Sequence, residues 1–160
     1  MTESGRTGVR DPHEVVDALA DHEDAIGDLY AAYGLRFRDA ASFWQGLSAE
    51  EYGHGSLMRD LAGQPHELDV FIDTERFPLP ELRAATRQVR DQIEVAENSR
   101  VTLIEALETA LGFEQELIER DAYQAFDSDS ANVSRVLTHL RVSSERHRDV
   151  LSAFLKRVPR

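Results

Sequence analysis

The chain has 160 residues, 41% hydrophobic and 30% charged, which suits one globular domain large enough to bury a sizeable core. It contains no cysteine, which excludes disulfides, thiolate zinc sites, iron–sulfur clusters and any Cys₄ iron centre within the chain. A net charge of −12 argues against gripping nucleic acid by its phosphates and favours the attraction of cations. No apolar run approaches the length of a membrane span, and the polar start Met1-Thr2-Glu3-Ser4 lacks the apolar core of a secretory signal. A cytoplasmic location, without membrane or nucleic-acid partners, is the expectation.

Residues 1–10 read as a disordered polar tail, and residues 11–160 as a single domain. Asp11-Pro12-His13-Glu14 is a helix start, with Asp at N-cap, Pro at N1 and Glu at N3. A first helix from about Pro12 to Tyr33, stopped by Gly34, carries the inward stripe Val16, Leu19, Glu23, Ile26, Tyr30 and Tyr33 or Phe37. A second, from about Asp39 to Leu61, carries Trp44, Leu47, Glu51, His54, Met58 and Leu61. The short link between the two predicts an antiparallel pair. Residues 62–98 read as a long crossover with a short helix of its own, roughly Pro80 to Glu97, presenting Leu82, Val89 and Ile93.

A third long helix is expected from Asn98 or Ser99 to about Phe126, with Leu103, Leu107, Ala110, Glu114, Leu117 and Asp121 on its stripe. Asp127-Ser128-Asp129-Ser130 forms a loop and cap. A fourth long helix runs from about Ala131 to Leu155, with Val133, Val136, Leu140, Ser144, His147, Leu151 and Phe154 inward. No segment alternates with the period of a strand. The predicted fold is therefore all-α, two antiparallel hairpins joined by one long crossover.

Each long helix has an ionisable residue interrupting its apolar stripe: Glu23, then Glu51 with His54, then Glu114, then His147. A buried, unpaired charge costs several kcal/mol, so the interruptions require a common explanation. Glu23 lies 11 residues before Gly34 and Glu51 lies 12 after Asp39, which sets them at one height in an antiparallel pair. Three carboxylates and two imidazoles suit iron or manganese, and zinc on ligand type alone. Two adjacent divalent ions would offset the repulsion between the carboxylates.

Each residue taken singly has a duller reading. Ser48-Ala49-Glu50-Glu51 has the form of a capping box, Glu23 and Glu114 fit solvated positions beside their stripes, and His147 fits a core or boundary histidine. Tyr30 reads as a core residue with its hydroxyl hydrogen-bonded, Asp121 as a wet residue near a helix end, and His13, His22, His66 and His139 as surface residues.

The combination of Glu23, Glu51-x-x-His54, Glu114 and His147 resembles the ferritin-like superfamily, nearest to rubrerythrin-type domains, over residues 11–154. That resemblance implies an up-down-down-up four-helix bundle. It also implies a dinuclear iron or manganese centre, and ferroxidase or peroxide-reducing activity in iron and oxidative-stress handling. Glu23 and His54 would be terminal ligands, Glu51 and Glu114 bridging or chelating ones, and His147 the ligand of the second ion. Ser144, Tyr30 and Asp121 would stand around that set. Metal ions, O2 or H2O2, an external electron donor and a second copy of the chain, in a dimer or larger assembly, are the implied partners.

One departure is visible. Rubrerythrin-type domains carry a second Glu-x-x-His on the fourth helix, whereas Ser144 stands three residues before His147 and Glu145 points about 100° away. This thinner set resembles that of manganese catalases and keeps manganese-dependent peroxide dismutation open. A non-catalytic helical interaction module with a degenerate site is a further alternative, towards which Gly46, Gly53, Gly55 and Gly112 lean.

Overall fold

Hydrophobic spacing of three and four residues produces helices over most of the described residues. The computed structural model describes residues 12–64, 71–72, 79–119, 126–127 and 131–159. Among these, α1 spans Pro12–Arg36, α2 Ala41–Ala62, α3 Leu79–Asn98, α4 Leu103–Glu119 and α5 Ala131–Arg157. A single 3₁₀ turn, Arg38–Ala40, joins the first two. The strands β1 (Phe71–Ile72) and β2 (Phe126–Asp127) make a two-residue antiparallel bridge, too short to leave an alternating pattern in the sequence. The fold is otherwise all-α. No helix among the described residues is long and apolar enough to cross a membrane. The tail 1–10, the Asp11 cap, His66, Asp121 and the loop 128–130 lie outside the described residues.

Side-chain partners define the helix directions. Gly55 meets Asp24, Ser48 bonds Gly27 O and Gly34 packs on Trp44, so α1 and α2 run antiparallel. Phe43 meets Phe154 edge to face and Glu50 reaches His147, so α2 and α5 are antiparallel as well. Arg83 pairs with Glu14 and Thr86 with His22, while Arg36 donates to Ala96 O, so α3 runs parallel to α1. Arg36 also donates to Val101 O and Tyr30 to Glu114, which makes α4 antiparallel to α1.

Several boundaries differ from those the sequence suggests. Gly34 does not stop α1, which continues to Arg36. It lies instead at the close crossing with α2, where a Cβ would sit 3.4 Å from that of Trp44. The crossover helix is not short: α3 has 20 residues and buries Leu79, Leu82, Thr86, Val89 and Ala96. The third long helix begins at Leu103, because Thr102 caps it. The Thr102 hydroxyl accepts from Glu105 N–H, and Glu105 accepts from Thr102 N–H at 2.8 Å. Phe126 belongs to β2 rather than to that helix. His22 is buried, not on the surface, because it faces Thr86 of α3 at 2.9 Å.

The core forms two apolar clusters. One holds Val16, Leu19, Met58, Leu61, Leu82, Val133 and Leu140; the other holds Ile26, Tyr30, Tyr33, Trp44, Leu47, Leu107 and Leu151. Along α1, α2 and α5 the break between the clusters falls at Glu23, at Glu51 and His54, and at His147. A polar layer thus lies between two dry ones.

Glycines on α2 and α4 have opposite roles. A Cβ on Gly55 would clash with Asp24 Oδ1 and lie 3.3 Å from Ala20 O, whereas around Gly46 and Gly112 nothing lies within 4 Å. Gly55→Ala is expected to destabilise the fold by about 1 kcal/mol through overpacking. Gly46→Ala and Gly112→Ala should each stabilise it by roughly 0.5–1 kcal/mol by restricting the unfolded chain. Urea midpoints at unchanged slope read the difference.

Candidate metal centre

Four helices deliver five ionisable side chains to the polar layer: Glu23 from α1, Glu51 and His54 from α2, Glu114 from α4 and His147 from α5. Their exposures are 1%, 1%, 3%, 1% and 0%, so solvated readings of Glu23 and Glu114 are wrong. The capping-box reading of Ser48 also fails: α2 is continuous through it, and the buried Ser48 hydroxyl donates to Gly27 O at 2.8 Å.

The five residues form two triads, Glu23/Glu51/His54 and Glu51/Glu114/His147, in each of which one ligand atom per residue lies within 4.8 Å of the others. Glu51 belongs to both. His54 Nδ1 lies 3.1 Å from Glu51 Oε2 and 3.6 Å from Glu23 Oε2. His147 Nδ1 lies 2.6 Å from Glu51 Oε1 and 3.3 Å from Glu114 Oε1. The two imidazoles stack with centroids 5.7 Å apart, each against a different oxygen of the shared carboxylate.

Proximity does not satisfy these groups. Glu51 Oε1 and His147 Nδ1 face each other at 2.6 Å as an ion pair when the ring is protonated, yet neither atom makes a well-formed hydrogen bond among the described residues. Buried polar atoms without partners are rare, and each costs about 1–3 kcal/mol. Once their protons are displaced, a carboxylate and an imidazole that converge in this way offer the lone pairs that a divalent cation requires. The donor set fits such an ion on this observation alone.

Electrostatics point the same way. Burial, and then the neighbouring Glu114, push the Glu51 carboxyl up to about 8 against the opposing pull of His147 and His54. Burial by itself would lower His54, but contacts with Glu23 and Glu51 outweigh it and raise it to about 9. For His147, burial is likewise outweighed, by Glu114 and Glu51, and its pKa rises to about 10. The pocket thus holds protons as substitutes for positive charge.

Tyr30 is fully buried and donates to Glu114 Oε1 at 2.7 Å, which fixes that carboxylate. Its own ionisation is pushed well above the ordinary value by burial, and further by Glu114. Ser144 is buried one turn before His147, while Glu145 is half-exposed and pairs with Arg141 at 3.2 Å. No fourth carboxylate therefore joins the two triads as a sixth ligand among the described residues. Asp121 lies outside them.

One neighbour escaped the sequence reading. Glu50 Oε2 lies 2.9 Å from His147 Nε2 and also pairs with Arg146. The only signal was its position beside Glu51, which reads as a solvated face. A cavity of about 480 Å³ opens above it between α2 and α5, bordered by His54, His139, Ser143 and Arg146. His139 is exposed, as expected, with its ring 6.0 Å from that of His54. Comparisons with known family models, curated proteins and solved structures return no match for this chain.

Proposed function

We propose that this chain is a ferritin-like, rubrerythrin-type protein with a dinuclear iron centre, which oxidises Fe(II) or reduces peroxide. The observation that carries the reading is the pair of buried Glu₂His triads sharing Glu51, with unpartnered Oε1 and Nδ1 atoms facing each other inside. Helix directions support it. The sequence α1 up, α2 down, α4 down, α5 up, with α3 returning the chain along α1, is the connectivity of bundles with one long crossover.

Glu23 and His54 would hold one ion, Glu114 and His147 the other, and Glu51 would bridge them. Bound iron would supply the one-electron redox steps that the side chains lack. The chain's own contribution is positional. Tyr30 orients Glu114, Ser48 closes α2 onto α1, and the Trp44, Tyr30 and Tyr33 rings keep water from one side of the layer. With no cysteine in the chain, electrons come from Fe(II) as substrate or from a separate donor.

Metal content of freshly purified protein, with Fe(II) oxidation rates for wild type and Glu51→Ala, tests the proposal. About two iron ions per chain and rapid oxidation in the wild type alone are expected; equal loading of both proteins would sink it. A manganese-catalase-like centre is the second reading, favoured by the buried Ser144 where a carboxylate would complete the set. Oxygen release from peroxide by manganese-loaded but not iron-loaded protein would select it.

A further inference from the structure

Glu50 stands outside both triads, yet it is tied to one of them. Its Oε2 lies 2.9 Å from His147 Nε2, and the Arg146 guanidinium holds the same oxygen. An ionised carboxylate accepts and does not donate, so the proton in the contact with His147 sits on Nε2. The same ring turns Nδ1 inward, towards Glu51 Oε1 at 2.6 Å and Glu114 Oε1 at 3.3 Å. A neutral imidazole has a single N–H. Fixing it on Nε2 leaves the lone pair on Nδ1, inside the second triad.

The imidazole ring separates Glu50 from that triad, so Glu50 does not replace the carboxylate absent at Ser144. His54 differs: its Nδ1 faces Glu51 and Glu23, and among the described residues no carboxylate holds its Nε2. Instead, His54 borders the cavity that it shares with His139 and Ser143. The two halves of the layer are therefore unequal, one histidine being locked by an outer carboxylate and the other not.

We infer that Glu50, anchored by Arg146, is a positioning residue that fixes the His147 tautomer and preorganises the Glu51/Glu114/His147 half of the centre for a divalent cation. This inference rests on the metal-centre reading above. It assigns Glu50 no contact with the ion.

Zinc, a diamagnetic probe, provides the test. Calorimetric titration of the full chain measures each ion's affinity, and long-range ¹H–¹⁵N NMR of the zinc-loaded protein identifies the protonated nitrogen of His147. In the wild type, two ions should bind, with His147 metal-bound through Nδ1 and protonated at Nε2. In Glu50→Ala, one of the two should bind about 10–100-fold more weakly while the other is unchanged. Arg146→Met, which leaves Glu50 in place but unanchored, should give a smaller loss at the same ion. The half-exposed Glu50 lies outside the core, and metal-free melting temperatures report whether each variant is folded. Should Glu50→Ala melt early, Glu50→Met, which keeps much of the volume but cannot accept from Nε2–H, carries the comparison.

Wild-type affinity for both ions in these variants, or His147 bound through Nε2, would overturn the inference alone. A wild-type protein that takes up neither zinc nor iron would overturn the metal-centre reading with it, and is recognisable as such.

Discussion

Replacing Glu51 by glutamine is expected to weaken binding of both metal ions and to leave the metal-free protein as stable as the wild type, or more so. Glu51 is the one residue common to the two triads, so its loss removes a ligand from each half. The effect should exceed the roughly 10–100-fold expected when an outer contact is lost. Glutamine has nearly the shape of the protonated acid. Burial and Glu114 already keep the Glu51 carboxyl protonated up to about pH 8, so the amide reproduces the form the empty pocket prefers. It also removes the latent repulsion with Glu23 and Glu114.

Melting with and without added Fe(II) or Mn(II) separates the two effects. At an ion concentration 100 times Kd, the wild type should gain about 2.7 kcal/mol for each ion bound. That corresponds to roughly 5–10 °C for a domain of this size. Glu51→Gln should gain almost nothing. A variant that melts far below wild type without metal would show that Glu51 serves the fold rather than a ligand.

The second large effect is on pH. Metal-free protein is expected to lose stability as pH rises from about 5 to 9. Glu51 is raised in the fold from 4.5 to about 8, His54 from 6.5 to about 9 and His147 from 6.5 to about 10. All three shifts are upward, so in this window the folded chain binds more protons than the unfolded one, and stability falls with pH. The Glu51 contribution is complete below about 4.5 and lost by about 8; the histidine contributions are complete below about 6.5 and lost by about 9 and 10.

One excess proton is worth on the order of 1 kcal/mol per pH unit. Thermal melts in chelator should therefore fall by roughly 2–4 °C per pH unit for each excess proton held. Metal affinity should move the other way and rise with pH, because the ions must displace these same protons. A melting temperature that stays level from pH 5 to 9 would contradict the geometry of the pocket.

Much of the architecture was legible in the residue spacing. The stripes Val16–Leu19–Glu23–Ile26–Tyr30 and Trp44–Leu47–Glu51–His54–Met58 keep to a helical period, and the polar members of each stripe are as buried as the apolar ones. That same coincidence made the five candidate ligands visible. Boundaries were less legible. Gly34 has the composition of a stop signal, but α1 runs on through it to Arg36, beside Trp44 of another helix. His22 reads as a surface residue because its partner, Thr86, lies 64 positions away on a helix whose place beside α1 no local pattern encodes. Glu50 is hidden for a related reason: its contact is with a side chain 97 positions away.

By itself, then, the sequence determined the helical period, the absence of thiol chemistry and the inward stripes that carry the five candidate ligands, since these follow from composition and from a spacing set within one helix. Only the tertiary structure decided that the inward carboxylates and imidazoles meet as two triads through Glu51, and that Nδ1 rather than Nε2 of His147 faces them. It alone also placed Glu50 behind that ring. Those are relations between helices, set by how α1, α2, α4 and α5 pack around a layer that their apolar neighbours leave polar, and no periodicity along one chain segment contains them.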